Sequence, residues 1–225
     1  MDQKVSKQRK SNKPKFFSFE YLLYDLVKWW GWWQCLLWYR LKIKYDGKEA
    51  IQKIKGGAII SSNHVGYSDP FILQCAFLYR RFHFLYMEEL TKNKFQEWAY
   101  RRVFLSFPID REKPSFSTMR FLSDYVRDGN LLAMFPEGHI KRDDQVDEFK
   151  GGVILLSYLS GRPIIPVYHK RRTSIWHMTR LVVGKPFDVK AKIGPVLSQE
   201  KMQEVAQELY QYELYLQEIC EGEKT

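Results

Sequence analysis

From residue 41 onward the chain alternates short apolar runs with longer stretches whose apolar positions recur at helical spacing. Leu41 to Tyr45, Ala58 to Ser61, Phe84 to Met87, Val103 to Ile109, Leu131 to Phe135, Ile164 to Tyr168 and Arg180 to Val183 predict strands. Pro70 to Tyr79, Lys94 to Arg102, Ser115 to Arg127, Gly152 to Leu159 and Gln199 to Ile219 predict helices, the third ending at Gly129 and the fourth closed by Gly161. Strands that alternate with helices specify an α/β fold with a mixed, largely parallel sheet flanked by helices. The 225 residues suit one large domain, or one domain with a terminal extension, and no repeat or long linker divides them. The boundary expected is between 1–40, a basic arm and interfacial helical segment, and 41–225, the α/β domain.

The first forty residues follow a different pattern. Lys4, Lys7, Arg9, Lys10, Lys13 and Lys15 stand against the single acid Asp2 with no apolar periodicity, which predicts a mobile basic arm. Phe16 to Tyr39 is then crowded with Phe, Tyr, Leu and Trp, but Glu20, Asp25, Lys28 and Gln34 interrupt it. No run reaches the roughly 18–20 apolar residues that a spanning helix needs, so the segment is expected to lie on a membrane without crossing it. Five of the seven Trp fall here, Trp29, Trp30, Trp32, Trp33 and Trp38, and indole rings favour the headgroup boundary. A secretory signal shares the basic-then-apolar order, yet no A-x-A-like cleavage site follows. The other alternative is a helix or helical hairpin, broken at Gly31, that packs its rings into the core.

A formal charge of +10 and a pI near 9.4 call for an anionic partner: nucleic acid, phospholipid headgroups, or a phosphorylated metabolite or carrier. Cys35, Cys75 and Cys220 are scattered and odd in number, so neither a disulfide framework nor a zinc knuckle is indicated and a reducing cytoplasmic setting fits.

The chemistry-bearing residues fall just after the predicted strands. In Asn63-His64-Val65-Gly66-Tyr67-Ser68-Asp69-Pro70 a base and a carboxylate are five residues apart, a spacing that neither a strand nor a helix would bring together. A reversal at Gly66, with Asp69 as N-cap and Pro70 at the first helical position, would fold His64 back onto Asp69. A carboxylate on one ring nitrogen fixes the tautomer and leaves the other to take a proton. The alternative is that Asp69 merely caps the helix. Gly66-Tyr67-Ser68-Asp69-Pro70 fails as a G-x-S-x-G elbow, and Cys75 lies inside the predicted helix, which disfavours a covalent nucleophile. Asp110-Arg111, Pro136-Glu137-Gly138 and Pro166 mark three further strands, Pro166 being expected at an edge or bulge. Arg111 alone would equally serve as a solvated surface charge. In an open α/β sheet the carboxyl ends of strands form one cleft, so these segments are expected to converge.

With those residues in view, the chain resembles the glycerophospholipid acyltransferase superfamily, most of all the bacterial 1-acylglycerol-3-phosphate acyltransferases. The H-x-x-x-x-D motif stands as His64 to Asp69, the strand ending in Asp-Arg as Phe107-Pro108-Ile109-Asp110-Arg111, F-P-E-G as Phe135-Pro136-Glu137-Gly138, and the apolar-Pro-Val strand as Ile165-Pro166-Val167. Phe149-Lys150-Gly151-Gly152 is similar too. Three departures concern the acceptor headgroup. His139-Ile140-Lys141 replaces Thr-Arg-Ser, Leu105 stands where the family has Gly, and Pro108 where an aromatic is usual.

The resemblance implies that His64 removes the acceptor's hydroxyl proton, Asp69 orients the ring, Arg111 holds the phosphate, and Glu137 and Gly138 position the acceptor. Lys141 and Arg142 are the cations available in place of the missing arginine. Oxyanion donors are expected among backbone N–H groups near the Gly66 turn or the helix at Pro70. The implied donor is an acyl thioester on acyl-carrier protein or coenzyme A, with no metal or cofactor, and the setting is the cytoplasmic face of a membrane with anionic lipid. An acceptor with a larger headgroup, a lyso-ornithine lipid or a glycolipid is the alternative. A nucleic-acid module or a non-catalytic membrane protein would leave the strand-end motifs without a purpose.

Overall fold

The computed structural model describes residues 19–87, 89, 91–110, 115–137, 151–171 and 178–222. Seven described strands form one sheet: β1 (Lys42–Tyr45), β2 (Ala58–Ser62), β3 (Phe82–Met87), β4 (Ser106–Ile109), β5 (Leu131–Met134), β6 (Ile164–His169) and β7 (Arg180–Val183), in the order β1-β7-β6-β2-β5-β3-β4. All neighbours are parallel except β6 and β7. The helices are α1 (Phe19–Gln34), continued by a π-helical turn Cys35–Tyr39, then α2 (Lys48–Ile51), α3 (Asp69–Ala76), α4 (Lys94–Arg102), α5 (Phe116–Arg127), α6 (Gly152–Ser160), α7 (Val189–Ile193) and α8 (Gln199–Glu221).

Both sheet faces are covered, which is why the central strands are apolar without interruption. Ile59, Leu132 and Ile164 point toward α5, α6, α7 and α8, where Leu122, Val126, Ile154, Leu156, Val189 and Leu209 complete one core. Their strand neighbours Ala58, Ile60, Leu131, Ala133, Ile165 and Val167 face the other way, onto Ile72, Leu73 and Phe77 at α3. Each of the larger side chains, Leu, Ile, Val and Phe, contributes about 1.5–3 kcal/mol by leaving water. From β2 the chain runs outward to β3 and β4, returns to β5 beside β2, and then crosses to β6 on β2's other side. The order thus reverses at β2, and open α/β sheets place their ligand sites at the carboxyl ends of the strands beside such a reversal, here β2, β5 and β6.

Helix α1 inverts the usual amphipathic arrangement. Tyr24 and Gly31 are buried, and two of the polar residues that interrupt the apolar run, Asp25 and Lys28, bond back to the domain. Asp25 takes two bonds from the Arg81 guanidinium at 2.8 and 2.5 Å, and Lys28 donates to the Arg80 carbonyl at 2.8 Å. Burial lowers the Lys28 ammonium to about 8, with Asp25 opposing the shift. Leu22, Leu26, Trp29, Trp30 and Trp33, followed by Leu37 and Trp38, are left exposed. The helix is not broken at Gly31, where it packs against α3: a Cβ there would lie 2.0 Å from Phe71 Cε2. Trp32 differs from the other four rings, being half-buried with its edge against Trp33.

Several boundaries move for local reasons. β4 begins only at Ser106, because the preceding residues finish α4 and then Leu105 adopts φ +47°, a left-handed backbone that favours glycine. Leu105 is buried, and that burial offsets the strain. Pro108 pairs with Tyr86 on the edge strand β4, where a missing N–H is tolerated. Pro166 sits in the interior strand β6, opposite Ser61 on β2. On its β7 side the register slips by one residue between Val167↔Val183 and Ile164↔Phe187, and the Pro166 carbonyl accepts from Gly184 N–H at 2.8 Å. The proline thus sits beside a bulge, whose extra residue lies on the partner segment between Gly184 and Phe187. The short helices α2 and α7 have too few residues to show a periodic pattern.

Candidate active site

Asp69 is the hub of the side chains gathered at these strand ends. It is the first residue of α3, and Ser68 holds the cap position, so the expected N-cap role is corrected. Its carboxylate points back along the chain: Oδ2 accepts from Val65 N–H at 2.7 Å and Gly66 N–H at 2.8 Å, and lies 2.7 Å from His64 Nδ1. The turn is therefore closed by the carboxylate and not by glycine's freedom. Gly66 has no left-handed φ, and a Cβ there would meet nothing closer than Asp69 Oδ1 at 3.6 Å. Because Val65 and Gly66 N–H already serve Asp69, they are not available as oxyanion donors. The N–H groups of Asp69, Phe71 and Ile72 are likewise bonded within the turn, to Gly66 and Ser68 carbonyls.

Asp69 is 1% exposed. Burial alone would raise its carboxyl, but the adjacent His169 ring, the His64 bond and the Gly66 N–H hold it down at about 2. His64 is 17% exposed and stacks on Phe135, with ring centroids 4.2 Å apart and planes 15° apart. With Nδ1 turned to Asp69, Nε2 is the nitrogen left for proton transfer.

Sequence reasoning missed His169, at the end of β6. Its Nε2 is 3.0 Å from Asp69 Oδ1, a charge contact with the N–H off the line to the oxygen. Asn63 ties this histidine to β2: Asn63 Nδ2 donates to the His169 carbonyl at 2.9 Å, and Asn63 Oδ1 accepts from the His169 backbone N–H at 3.0 Å. A signal existed, since His169 follows an apolar strand just as His64 does.

Glu137, after β5, is 2% exposed and lies beside Glu213 of α8, whose Oε1 accepts from Ser61 Oγ at 2.8 Å. Pro136 precedes Glu137 in the same turn. Asp110 follows the edge strand β4, three strands from β2, or about 14 Å across the sheet. Arg111, Gly138, Lys141 and Arg142 lie outside the described residues. His64, Asp69, Asn63 and Glu137 are thus brought to the carboxyl ends of β6, β2 and β5, and Asp110 stands apart.

A family profile described as Acyltransferase matches residues 42–170, which include every strand from β1 to β6. The chain belongs to the acyltransferase family. It is 23% identical over 160 residues to the 1-acyl-sn-glycerol-3-phosphate acyltransferase of Bacillus subtilis, covering 69% of this chain and 78% of that protein. Against the Streptococcus pneumoniae protein of the same name it is 29% identical over 124 residues, covering 55% of this chain and 45% of that one. The fold matches the crystal structure of the 1-acyl-sn-glycerophosphate acyltransferase PlsC from Thermotoga maritima with a TM-score of 0.63 at 20% identity, covering 91% of this chain and 82% of the other. Within this acyltransferase fold the His64–Asp69 contact occupies the topological reversal of the sheet, where a ligand crevice is expected.

Proposed function

We propose that the chain moves a fatty acyl group from an acyl thioester to the free hydroxyl of a lysophospholipid, 1-acylglycerol-3-phosphate giving phosphatidic acid, at a membrane surface. The observation that carries this reading is the 2.7 Å contact between His64 Nδ1 and a buried Asp69 in a chain of the acyltransferase family. His64 Nε2 takes the proton of the acceptor hydroxyl as its oxygen attacks the thioester carbonyl. The tetrahedral intermediate then collapses, the C–S bond breaks, and the imidazolium returns its proton to the leaving thiolate. Asp69 stabilises the positive ring in between, as in other acid–base pairs of this kind. No acyl-enzyme is needed. Cys75 is buried with its Sγ 3.9 Å from the Gly31 carbonyl, away from the dyad's nitrogen chemistry.

Arg111, with Lys141 and Arg142, takes the acceptor phosphate in this reading, and Glu137 and Gly138 the glycerol backbone. The acyl group arrives on acyl-carrier protein or coenzyme A, both anionic, which suits a chain of charge +10. The α1 stripe of Trp29, Trp30, Trp33 and Trp38 meets the lipid, extended by the exposed Phe95 and Trp98 of α4, which packs beside α1. No described helix is long and apolar enough to cross a membrane. In this arrangement 1–40 is the attachment segment on the cytoplasmic face and 41–225 the acyltransferase domain.

Purified protein given a panel of lysolipids with either donor, products read by mass spectrometry, tests the reading. It predicts phosphatidic acid from 1-acylglycerol-3-phosphate. Acylation confined to another acceptor class would move the headgroup assignment, in line with His139-Ile140-Lys141 replacing the usual phosphate-binding segment, and no acylation of any acceptor would overturn the reading.

A further inference from the structure

We propose that a row of cations at the β1 edge of the sheet, Lys170, Arg180 and Lys42, continued by Lys44, is the docking surface for the acidic face of an acyl-carrier protein. This rests on the acyl-transfer reading above and names its donor.

Strand pairing builds the row. Lys170 N–H donates to the Arg180 carbonyl at 3.0 Å, which continues by one residue the antiparallel register of His169↔Leu181, and Arg180 is the partner of Lys42 in the parallel pair β7–β1. Three cations therefore stand side by side at one level of the sheet, about 10 Å from first to last at the usual strand spacing. Lys44, two residues along β1, shares the face of Lys42. Like charges directly opposite each other across strands destabilise a sheet. The end of α8 offsets part of that cost: Lys44 Nζ donates to the Ile219 carbonyl at 3.4 Å, and Glu221 lies beside the row, its Oε1 accepting from the Tyr168 hydroxyl at 3.1 Å and Gln217 Nε2 at 3.2 Å. An acidic partner would offset the rest.

The row turns away from the lipid side of the molecule. Leu41, Ile43 and Leu181 pack into the core that faces α3, so Lys42, Lys44 and Arg180, alternating with them, point to the opposite face, where Lys44 meets α8 and the charges of Lys170 and Arg180 bear on Cys220. Helix α1, with its exposed Trp stripe, is docked on α3 through Gly31 and Phe71. A bilayer that meets the stripe leaves the row to a soluble partner.

The row also starts beside the dyad. Lys170 follows His169, whose Nε2 is 3.0 Å from Asp69 Oδ1. An acyl-carrier protein presents its thioester on a long flexible arm, so its acidic surface can rest on the row while the arm crosses to His64. Lys42 is exposed on an edge strand, with Lys170 and Arg180 half-buried behind it. Cations spread over three strands in this way complement a protein face better than the compact phosphates of a nucleotide.

The test uses the full chain and a bacterial acyl-carrier protein. Lys42→Glu combined with Lys170→Glu is expected to raise KM for the acyl-carrier protein at least tenfold, with kcat, KM for acyl-coenzyme A and KM for the lysolipid within twofold, and with unchanged co-sedimentation on anionic vesicles. Should the charge-reversed pair not fold, Lys42→Gln with Lys170→Gln decides, with a rise of at least threefold expected. An unchanged KM for the carrier overturns the proposal. An equal rise for acyl-coenzyme A would assign the row to nucleotide phosphates and lost vesicle binding would assign it to lipid headgroups, and either result overturns the proposal too. Fluorescence anisotropy of a labelled, unacylated carrier protein reads docking without turnover: binding to the wild type is expected to weaken at least tenfold in the Glu pair and to weaken with salt. A wild type that does not bind the carrier overturns the proposal. A wild type that binds it but acylates no lysolipid would instead sink the acyl-transfer reading and leave the docking surface standing.

Discussion

Gly31 of α1 lies against the ring of Phe71 on α3, so close that a methyl group at 31 would stand 2.0 Å from Phe71 Cε2. Phe71 is two residues beyond Asp69, so the helix proposed to meet lipid is docked on the helix that begins with the dyad's carboxylate. Gly31→Ala is expected to reduce unfolding stability by about 1–3 kcal/mol, the usual cost of overpacking. Phe71→Ala vacates the space, so the Gly31→Ala penalty should shrink in that background. Denaturant unfolding of the double-mutant cycle measures it, and strictly additive penalties would show that the close approach carries no energy.

The exposed rings make a separate prediction about binding. Replacing Trp29, Trp30, Trp33 and Trp38 together by Ser removes apolar surface that faces outward, so stability should change little. Co-sedimentation with anionic vesicles is expected to weaken at least tenfold, while transfer to a short-chain, monomeric acceptor persists. Unchanged sedimentation would place lipid contact elsewhere on the molecule.

Glu213 makes stability depend on pH. Burial raises its carboxyl to about 8, the Ser61 hydroxyl opposing the shift and the Glu137 charge adding to it. The folded value is above that of the unfolded chain, about 4.3, so this contribution to stability is complete below about pH 4.3 and is lost as pH rises toward 8. Glu213→Gln cannot ionise. Its melting temperature relative to the wild type should therefore be higher at pH 8.5 than at pH 5, by the equivalent of roughly a few kcal/mol. Parallel pH dependences for the two proteins would contradict this.

What the sequence disclosed follows from how local each signal is. Central strands such as Ala58–Ser62 and Ile164–His169 are buried on both faces, so uninterrupted apolar runs betray them. His64 and Asp69 were legible because five residues and a turn join them. His169 was not, because its partner Asp69 lies about 100 residues earlier and only the β2–β6 pairing makes them neighbours. Glu213 left a fainter trace: Val205, Leu209, Leu216 and Cys220 form the buried seam of α8, and Glu213 occupies that seam. Asp69 as an N-cap and Gly66 as the residue whose freedom permits the reversal were reasonable readings of residue type, overturned because one carboxylate gathers the donors that close the turn. Gly31 suggested a break because sequence cannot show that Phe71 packs there.

The central claim is that the His64 imidazole, held by Asp69, removes the acceptor proton. The most direct measurement is the single-turnover rate of acyl transfer by His64→Ala, made on protein whose circular dichroism and vesicle binding match the wild type. General-base catalysis of this kind is worth about 10²- to 10⁴-fold, and the account predicts a loss of that size with acceptor binding retained. A rate within a few-fold of the wild type would contradict it.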